Sequence, residues 1–351
     1  MISLLQYILE KKGVSNDINI LVDYIYNCIK TAVYEENPEN PDISWLYQQY
    51  LDYGKDTYPI EINFKDIKGF NQNKYNLLTY RDMGPDYEDY DCDMLVVVMK
   101  ADAFGFMDTE EPMLIINAKY VKTKKVFDKN ISNIRNTLAH ELTHYVQHLS
   151  NKGTNNLKHD DGAVAKELAE NTEGNTKYYI CNFLLYVINP IEADARKMGF
   201  YQTMKLEIHK RLKEWKRQNK NKEFDKDDFI HYCMYHKDYH NNVLHMSYFD
   251  LFADGIKEDT WDNYKKCFDD PENKYRDDSL IYVLLNVCDA RTDKPYLPLP
   301  SKKNYVMYIN SEERFNNYKA RLIKDYTKNI DKYKKKIRNV IELVIEEEDI
   351  K

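Results

Sequence analysis

Residues 137–145 read Thr-Leu-Ala-His-Glu-Leu-Thr-His-Tyr, within a stretch whose apolar residues recur at helical spacing. Residues four apart lie one above the other on the same face of a helix, so His140 and His144 can hold one metal ion. Glu141 lies about 100° round the helix from His140, near enough to reach a water at that ion. Imidazole suits Zn²⁺, and a catalytic zinc site has three protein ligands and one open position. The stretch therefore predicts a zinc-binding helix that still needs one ligand.

This helix has predictable limits and a predictable buried face. Asn130 or Ser132 can cap its start, and Gly153 can end it. Its apolar stripe consists of Ile134, Leu138, Leu142, Tyr145 and Leu149.

A small sheet is predicted directly before the helix. Met94–Met99 is a short run rich in β-branched residues, as in a buried strand. Residues 104–107 and Met113–Asn117 follow as two more strands joined in a hairpin, and residues 60–64 alternate as a further strand can. Because helices precede the strands rather than alternating with them, the order indicates an α+β fold.

The regions around this core are predicted to be mainly helical. We expect a mostly helical N-terminal region at 1–90, a core at 91–225, and a helix-rich C-terminal region at 226–351 that completes or covers the cleft. Predicted elements in the flanking regions are helices within 1–35, at 43–53 and at 311–347, and a strand at 305–309. The almost wholly apolar residues 178–188 are expected to be buried.

Composition limits the classes of partner and the compartment. The net charge of −7 gives no global field that attracts nucleic acid, and no apolar run has the roughly 18 residues of a membrane span. Six cysteines without a C-x-x-C pair indicate reduced thiols. No signal peptide is recognisable at the N-terminus, so a cytoplasmic location is expected. The sequence leaves the oligomeric state open.

The third zinc ligand has several candidates downstream. Ser150 stands ten residues after His140, where a metzincin has its third histidine, so that class is excluded. Gly-Thr at 153–154, followed by Asp160 or Asp161, forms part of an aspzincin pattern. Glu167 ends a stretch that faintly resembles the glutamate helix of thermolysin, but the Asp expected after that glutamate is missing.

Glu192 is the preferred candidate. Residues 189–196 read Asn-Pro-Ile-Glu-Ala-Asp-Ala-Arg, which predicts a helix that starts at Pro190 and runs to about residue 220. Glu192 would lie in its first turn, beside alanines small enough for close helix packing. Glu192 also stands three residues after Asn189, as in a capping box, where it would merely bond the Asn189 amide. Asp194 is the other acidic candidate on this helix.

Two motifs together carry a family resemblance. His-Glu-x-x-His-x-x-Gln at 140–147 and Pro-x-Glu-x-x-Ala-Arg at 190–196 resemble the small gluzincin-like metallopeptidases of bacteriophage and bacterial genomes. The resemblance covers roughly residues 94–200. It implies a zincin-like core, with a small mixed or antiparallel sheet packed on the zinc-binding helix.

The resemblance also implies a chemistry. Zn²⁺ would be the cofactor, with His140, His144 and Glu192 as ligands, and Glu141 would be the general base in peptide hydrolysis. A peptide or protein substrate would lie along a sheet edge formed by residues 104–107 or 113–117.

Several roles stay open from the sequence. His148 can orient the site from outside the ligand set or lie on the helix surface. The pair His236 and His240 has the spacing of a second metal site, but a set of hydrogen-bonded helix histidines suits the patch at 231–245 better. The candidate donors to an oxyanion are Tyr235, His236, Tyr239, His240 and His245.

Two other functions compete with a general peptidase. One is a non-enzymatic, virion-associated or host-interaction protein that retains a zincin fold. The other is a regulatory peptidase that cleaves one dedicated partner, such as a repressor.

Overall fold

A computed structural model gives the structure of the chain. It describes residues 12–34, 60–71, 75, 77–84, 91–99, 101, 103–108, 111–121, 123–149, 190–235, 246–269, 278–289 and 309–350. The chain divides into two compact units. The sheet unit comprises Met1–Leu157, Asp194–Glu214 and Val344–Ile350, and the helical unit comprises Lys158–Ala193, Trp215–Leu343 and Lys351.

A four-stranded mixed sheet lies in the sheet unit. Its strands are β1 (Ile60–Ile62), β2 (Met94–Met99), β3 (Gly105–Met107) and β4 (Met113–Asn117), in the spatial order β1-β2-β4-β3. β2 and β4 are parallel, whereas β1 pairs antiparallel with β2, and β3 pairs antiparallel with β4. The predicted strand at 94–99 and the hairpin of the next two strands are confirmed, and β1 is shorter than the alternation at 60–64 indicated. β1 and β3 are the edges.

β2 is buried on both faces of the sheet, which explains why it is apolar at every position. Met94, Val96 and Val98 face one hydrophobic cluster, which also contains residues of the helix predicted to bind zinc. Leu95 and Val97 face a smaller cluster with Tyr80 and Cys92 on the other side.

The described residues of the sheet unit before residue 150 form three α-helices: α1 (Lys12–Tyr34), α2 (Lys124–Lys129) and α3 (Ile131–Leu149). α3 is the predicted zinc-binding helix. It begins directly after Asn130, one of the two predicted capping residues, and the Ile134 amide donates to the Asn130 carbonyl at 2.8 Å. α2 was not predicted, because six residues are too few to show helical periodicity.

The remaining helices are α4 (Pro190–Gln218), α5 (Lys226–Tyr235), α6 (Met246–Glu258), α7 (Trp261–Phe268), α8 (Leu280–Asp289) and α9 (Glu312–Glu347). α4 and α9 each contribute residues to both units. The predicted start of α4 at Pro190 and the predicted long final helix are confirmed. The Arg314 amide donates to Ser311 Oγ at 3.3 Å, which caps the start of α9.

The helical unit is held together partly by one buried acid. Asp259, 4% exposed, lies between α6 and α7 and accepts from Ser279 Oγ and from the Ile281 amide, both at 2.8 Å, at the start of α8. Lys319 of α9 donates to the carbonyls of Lys257 and Asp259 at 2.7 and 2.6 Å, which satisfies the end of α6.

The α+β class is confirmed. The three-part division at 90 and 225 stays a prediction; β1 and α1, which come from its first part, lie in the sheet and in the cluster beneath it. The predictions for residues 43–53, 150–153, 178–188 and 305–308 lie outside the described residues.

Two further observations bear on the composition. None of the helices that the structure describes is long and apolar enough to cross a membrane. Among the described residues, Cys28, Cys92, Cys233 and Cys267 are not in disulfides, and burial raises the pKa of Cys92 to about 12.

Candidate metal centre

The rotation of α3 about its axis is fixed by its buried side. Leu138, Leu142 and Tyr145 are fully buried in the cluster under the sheet. The Tyr145 hydroxyl donates to the Leu78 carbonyl at 2.6 Å, and burial holds the pKa of this phenol well above its usual value. With one side anchored, His140 and His144 are held on the half-buried side of the helix.

The two histidines converge on one point. Their Nε2 atoms lie 3.1 Å apart, and their rings are nearly perpendicular, at 86°. Two nitrogens bound to one tetrahedral zinc lie about 3.3 Å apart, because each Zn–N bond is about 2.0–2.1 Å long. The pair therefore has the separation that one shared ion requires.

Glu192 joins this pair. His140, His144 and Glu192 each offer one ligand atom, and these three atoms all lie within 4.8 Å of one another. Glu192 and Asp194 are the two sequence-proposed carboxylates among the described residues, and of these the structure brings Glu192 to the histidines. The alternative of a capping box cannot be compared with this geometry, because Asn189 lies outside the described residues.

Close packing between α3 and α4 brings Glu192 near the two histidines. A side chain at Gly199 would meet the Asn136 carbonyl oxygen at 2.9 Å and Asn136 Oδ1 at 2.8 Å, so glycine allows the two helices to approach here. Asn136 Nδ2 also donates to Thr203 Oγ1 at 2.9 Å. His140 lies about one helical turn after Asn136, and Glu192 lies about two turns before Gly199. Both ligands are therefore displaced in the same direction from the contact between the two helices.

Glu141 lies beside the ligands and against the sheet edge. Its Oε2 accepts a hydrogen bond of 3.0 Å from the main-chain amide of Met107, in β3. Its Oε1 lies 3.9 Å from His140 Nε2. The carboxylate is thus held at the centre by an edge strand without itself being part of the three-ligand cluster.

Gln147 contacts the centre from behind His144. The side-chain oxygen of Gln147 lies 3.0 Å from His144 Nδ1, one helical turn away. Gln147 was part of the motif that carries the family resemblance but was given no role at the site, although its position three residues after His144 places both on one face. The Met107 amide was also missed, because a main-chain group leaves no residue-type signal.

Of the other candidates, some lie among the described residues and the rest lie outside them. Asp194 is buried on α4, and the ligand cluster found among the described residues does not include it. Tyr235 ends α5, where its ring packs 4.5 Å from that of His231. Glu167, Asp160, Asp161, residues 236–245 and the side chain of His148 lie outside the described part of the chain.

No family model, curated protein or solved structure matches this chain. The functional conclusion therefore depends on the chemistry and geometry of the centre itself.

Proposed function

We propose that this protein is a zinc-dependent metallopeptidase of the gluzincin type, with a zincin-like core. The observation that carries the proposal is the convergence of two imidazoles and one carboxylate, from two helices, within 4.8 Å. The ligands are His140, His144 and Glu192, and Glu141 is the general base.

The donor set fits zinc. Two imidazole nitrogens and one carboxylate oxygen are a ligand set of catalytic zinc sites, which keep the fourth position open. Carboxylate and water ligands alone would suit Mg²⁺ or Ca²⁺, and thiolates would suit a structural zinc. When bound, zinc supplies Lewis acidity that lowers the pKa of a water to about 7.

Glu141 is placed to move the proton. It takes a proton from the attacking water and passes it to the leaving amine of the cleaved peptide bond. The Met107 amide holds Oε2, and Oε1 is directed toward the histidines. A carboxylate fixed in this way does not have to be reoriented during the reaction.

The sheet edge that would bind substrate is β3. The topology places Met113–Asn117 inside the sheet and leaves residues 105–107 at its edge, so the alternative edge predicted from the sequence is wrong. The Phe104 carbonyl accepts from the Asn117 amide and the Asp108 amide donates to the Met113 carbonyl, both at 2.9 Å. Main-chain groups of the residues between, Gly105 and Met107, therefore point away from β4.

The Met107 amide is held by Glu141, so an extended peptide can pair with the outward main-chain groups of Gly105 and with the Met107 carbonyl, next to Glu141. Main-chain pairing of this kind gives affinity with little demand on sequence. A broad set of unfolded or extended peptides is therefore the proposed substrate class.

The test compares Glu141→Gln with the parent. Zinc content is measured by atomic emission, and hydrolysis is measured on a mixed-sequence library of quenched fluorescent peptides. The variant should keep one zinc per chain, because the ligands remain. Its hydrolysis rate should fall about 10²–10⁴-fold relative to the parent, because the base is gone. Equal hydrolysis by both proteins would overturn the mechanism. A parent that binds zinc but cleaves nothing would favour the non-enzymatic alternative.

A further inference from the structure

Gln147 is a buried amide aimed at a candidate ligand. It is 3% exposed, and its Oε1 lies 3.0 Å from His144 Nδ1. Burying an amide costs free energy unless its polar atoms are hydrogen-bonded. An apolar side chain would fill the same space without that cost, so packing alone does not explain a glutamine here.

The chemistry of a metal-binding imidazole explains why a glutamine is buried at position 147. The Nε2 of His144 faces His140 Nε2 at 3.1 Å, so Nε2 is the nitrogen that would bind the metal. Binding through Nε2 leaves the proton on Nδ1, where it needs an acceptor. A glutamine oxygen is such an acceptor, and outer partners of this kind fix the tautomer and the ring orientation of metal-binding histidines.

We propose that Gln147 is a positioning residue for His144: its side-chain oxygen accepts the Nδ1 proton and holds Nε2 toward the zinc. This inference rests on the proposed function, because it assumes that the centre binds zinc. It adds a component that acts through a ligand and does not itself touch the ion.

A polar neighbour on the same helix provides a matched comparison. Thr143 is also buried, but its Oγ1 donates to the Ala139 carbonyl of its own helix at 2.6 Å. A threonine hydroxyl bonded to the preceding turn affects only its own helix. Thr143→Val therefore removes a buried hydrogen bond from α3 without affecting the acceptor of His144.

The experiment measures the zinc dissociation constant of the full chain by competition with a chromogenic chelator at one fixed pH. Gln147→Met keeps the volume and removes the acceptor, so affinity should fall about 10–100-fold. Gln147→Glu keeps an acceptor and should bind zinc at least as tightly as the parent. Thr143→Val should bind zinc like the parent. Substitution with Co²⁺ adds a spectroscopic readout, in which Gln147→Met should alter the visible bands and Gln147→Glu should retain them.

The outcomes separate the two proposals. A parent that binds no zinc would overturn the proposed function and this inference together. A zinc-binding parent with an equally tight Gln147→Met would overturn the inference alone. If Gln147→Met does not fold, Gln147→Glu decides, because weaker zinc binding by that variant contradicts a role as acceptor.

Discussion

The acid at the start of α8 and the acids at the candidate metal centre are used in different ways. In the helical unit, Asp259 accepts from a hydroxyl and from main-chain amides at helix starts: Ser279 Oγ, Ile281 N and, at 3.0 Å, Thr260 N. In the candidate metal centre, Glu192 of α4 has its ligand atom within 4.8 Å of the ligand nitrogens of His140 and His144. Glu141 lies beside those nitrogens, held by one amide.

This difference distinguishes structure from chemistry. An acid that accepts hydrogen bonds from main-chain amides and a hydroxyl at helix starts has a structural role as a helix cap. An acid grouped with imidazoles on a neighbouring helix brings together the atoms that bind a transition metal. The comparison predicts different effects when each kind of acid is replaced. Replacing the helix-capping acid should lower the stability of the protein, and replacing the acid at the centre should weaken zinc binding.

The largest effect is expected for Glu192→Gln. Replacing a ligand oxygen should weaken zinc binding by more than the roughly 100-fold that loss of an outer partner costs. Asp194→Asn is the matched control, because Asp194 is a buried acid on the same helix but not a member of the cluster. Chelator competition measures both. Weaker binding by Asp194→Asn with normal binding by Glu192→Gln would exchange their roles.

A smaller effect is expected at the sheet edge. Met107→Pro removes the amide that holds Glu141 and should lower the turnover rate about 10–100-fold, since a hydrogen bond to a charged group contributes about 1.5–3 kcal/mol. Zinc affinity should not change. The edge strand should tolerate proline, because this amide does not belong to the β3–β4 ladder.

Met107→Leu is the control for the lost side chain, since it keeps the amide. Steady-state kinetics at saturating peptide, with zinc content measured on the same samples, separates the two effects. A parent-like turnover in Met107→Pro would show that Glu141 needs no support from β3.

The smallest effect on the centre is expected for Asp259→Ala. Loss of this buried cap should cost about 2 kcal/mol of stability, measured by urea denaturation, and leave zinc affinity as in the parent. Asp254 is an exposed acid that pairs with Lys257 at 3.2 Å, so Asp254→Ala should change stability by less than about 0.5 kcal/mol. If Asp259→Ala weakened zinc binding in the folded protein, the separation of roles would be wrong.

The sequence predicted what depends on local spacing. Met94–Met99 is a short apolar run, and His140 and His144 are four residues apart, so their strand and their shared helix face follow from neighbours alone. β1 has three residues, too few for alternation to predict its pairing with β2.

The rest depends on contacts distant in sequence. Glu192 follows His144 by 48 residues, and its meeting with the histidines depends on the approach of α4 to α3 at Gly199. The same glutamate fits a helix cap equally well in sequence terms. The edge position of β3 likewise follows from strand order, which the residues of the hairpin do not encode by themselves.

Anomalous diffraction from zinc-loaded crystals at the zinc absorption edge tests the central claim most directly. The account predicts one strong peak per chain, about 2.0–2.1 Å from the Nε2 atoms of His140 and His144 and at bonding distance from a Glu192 carboxylate oxygen. A strong peak elsewhere with none between these three side chains, or no ordered zinc at all, would contradict it.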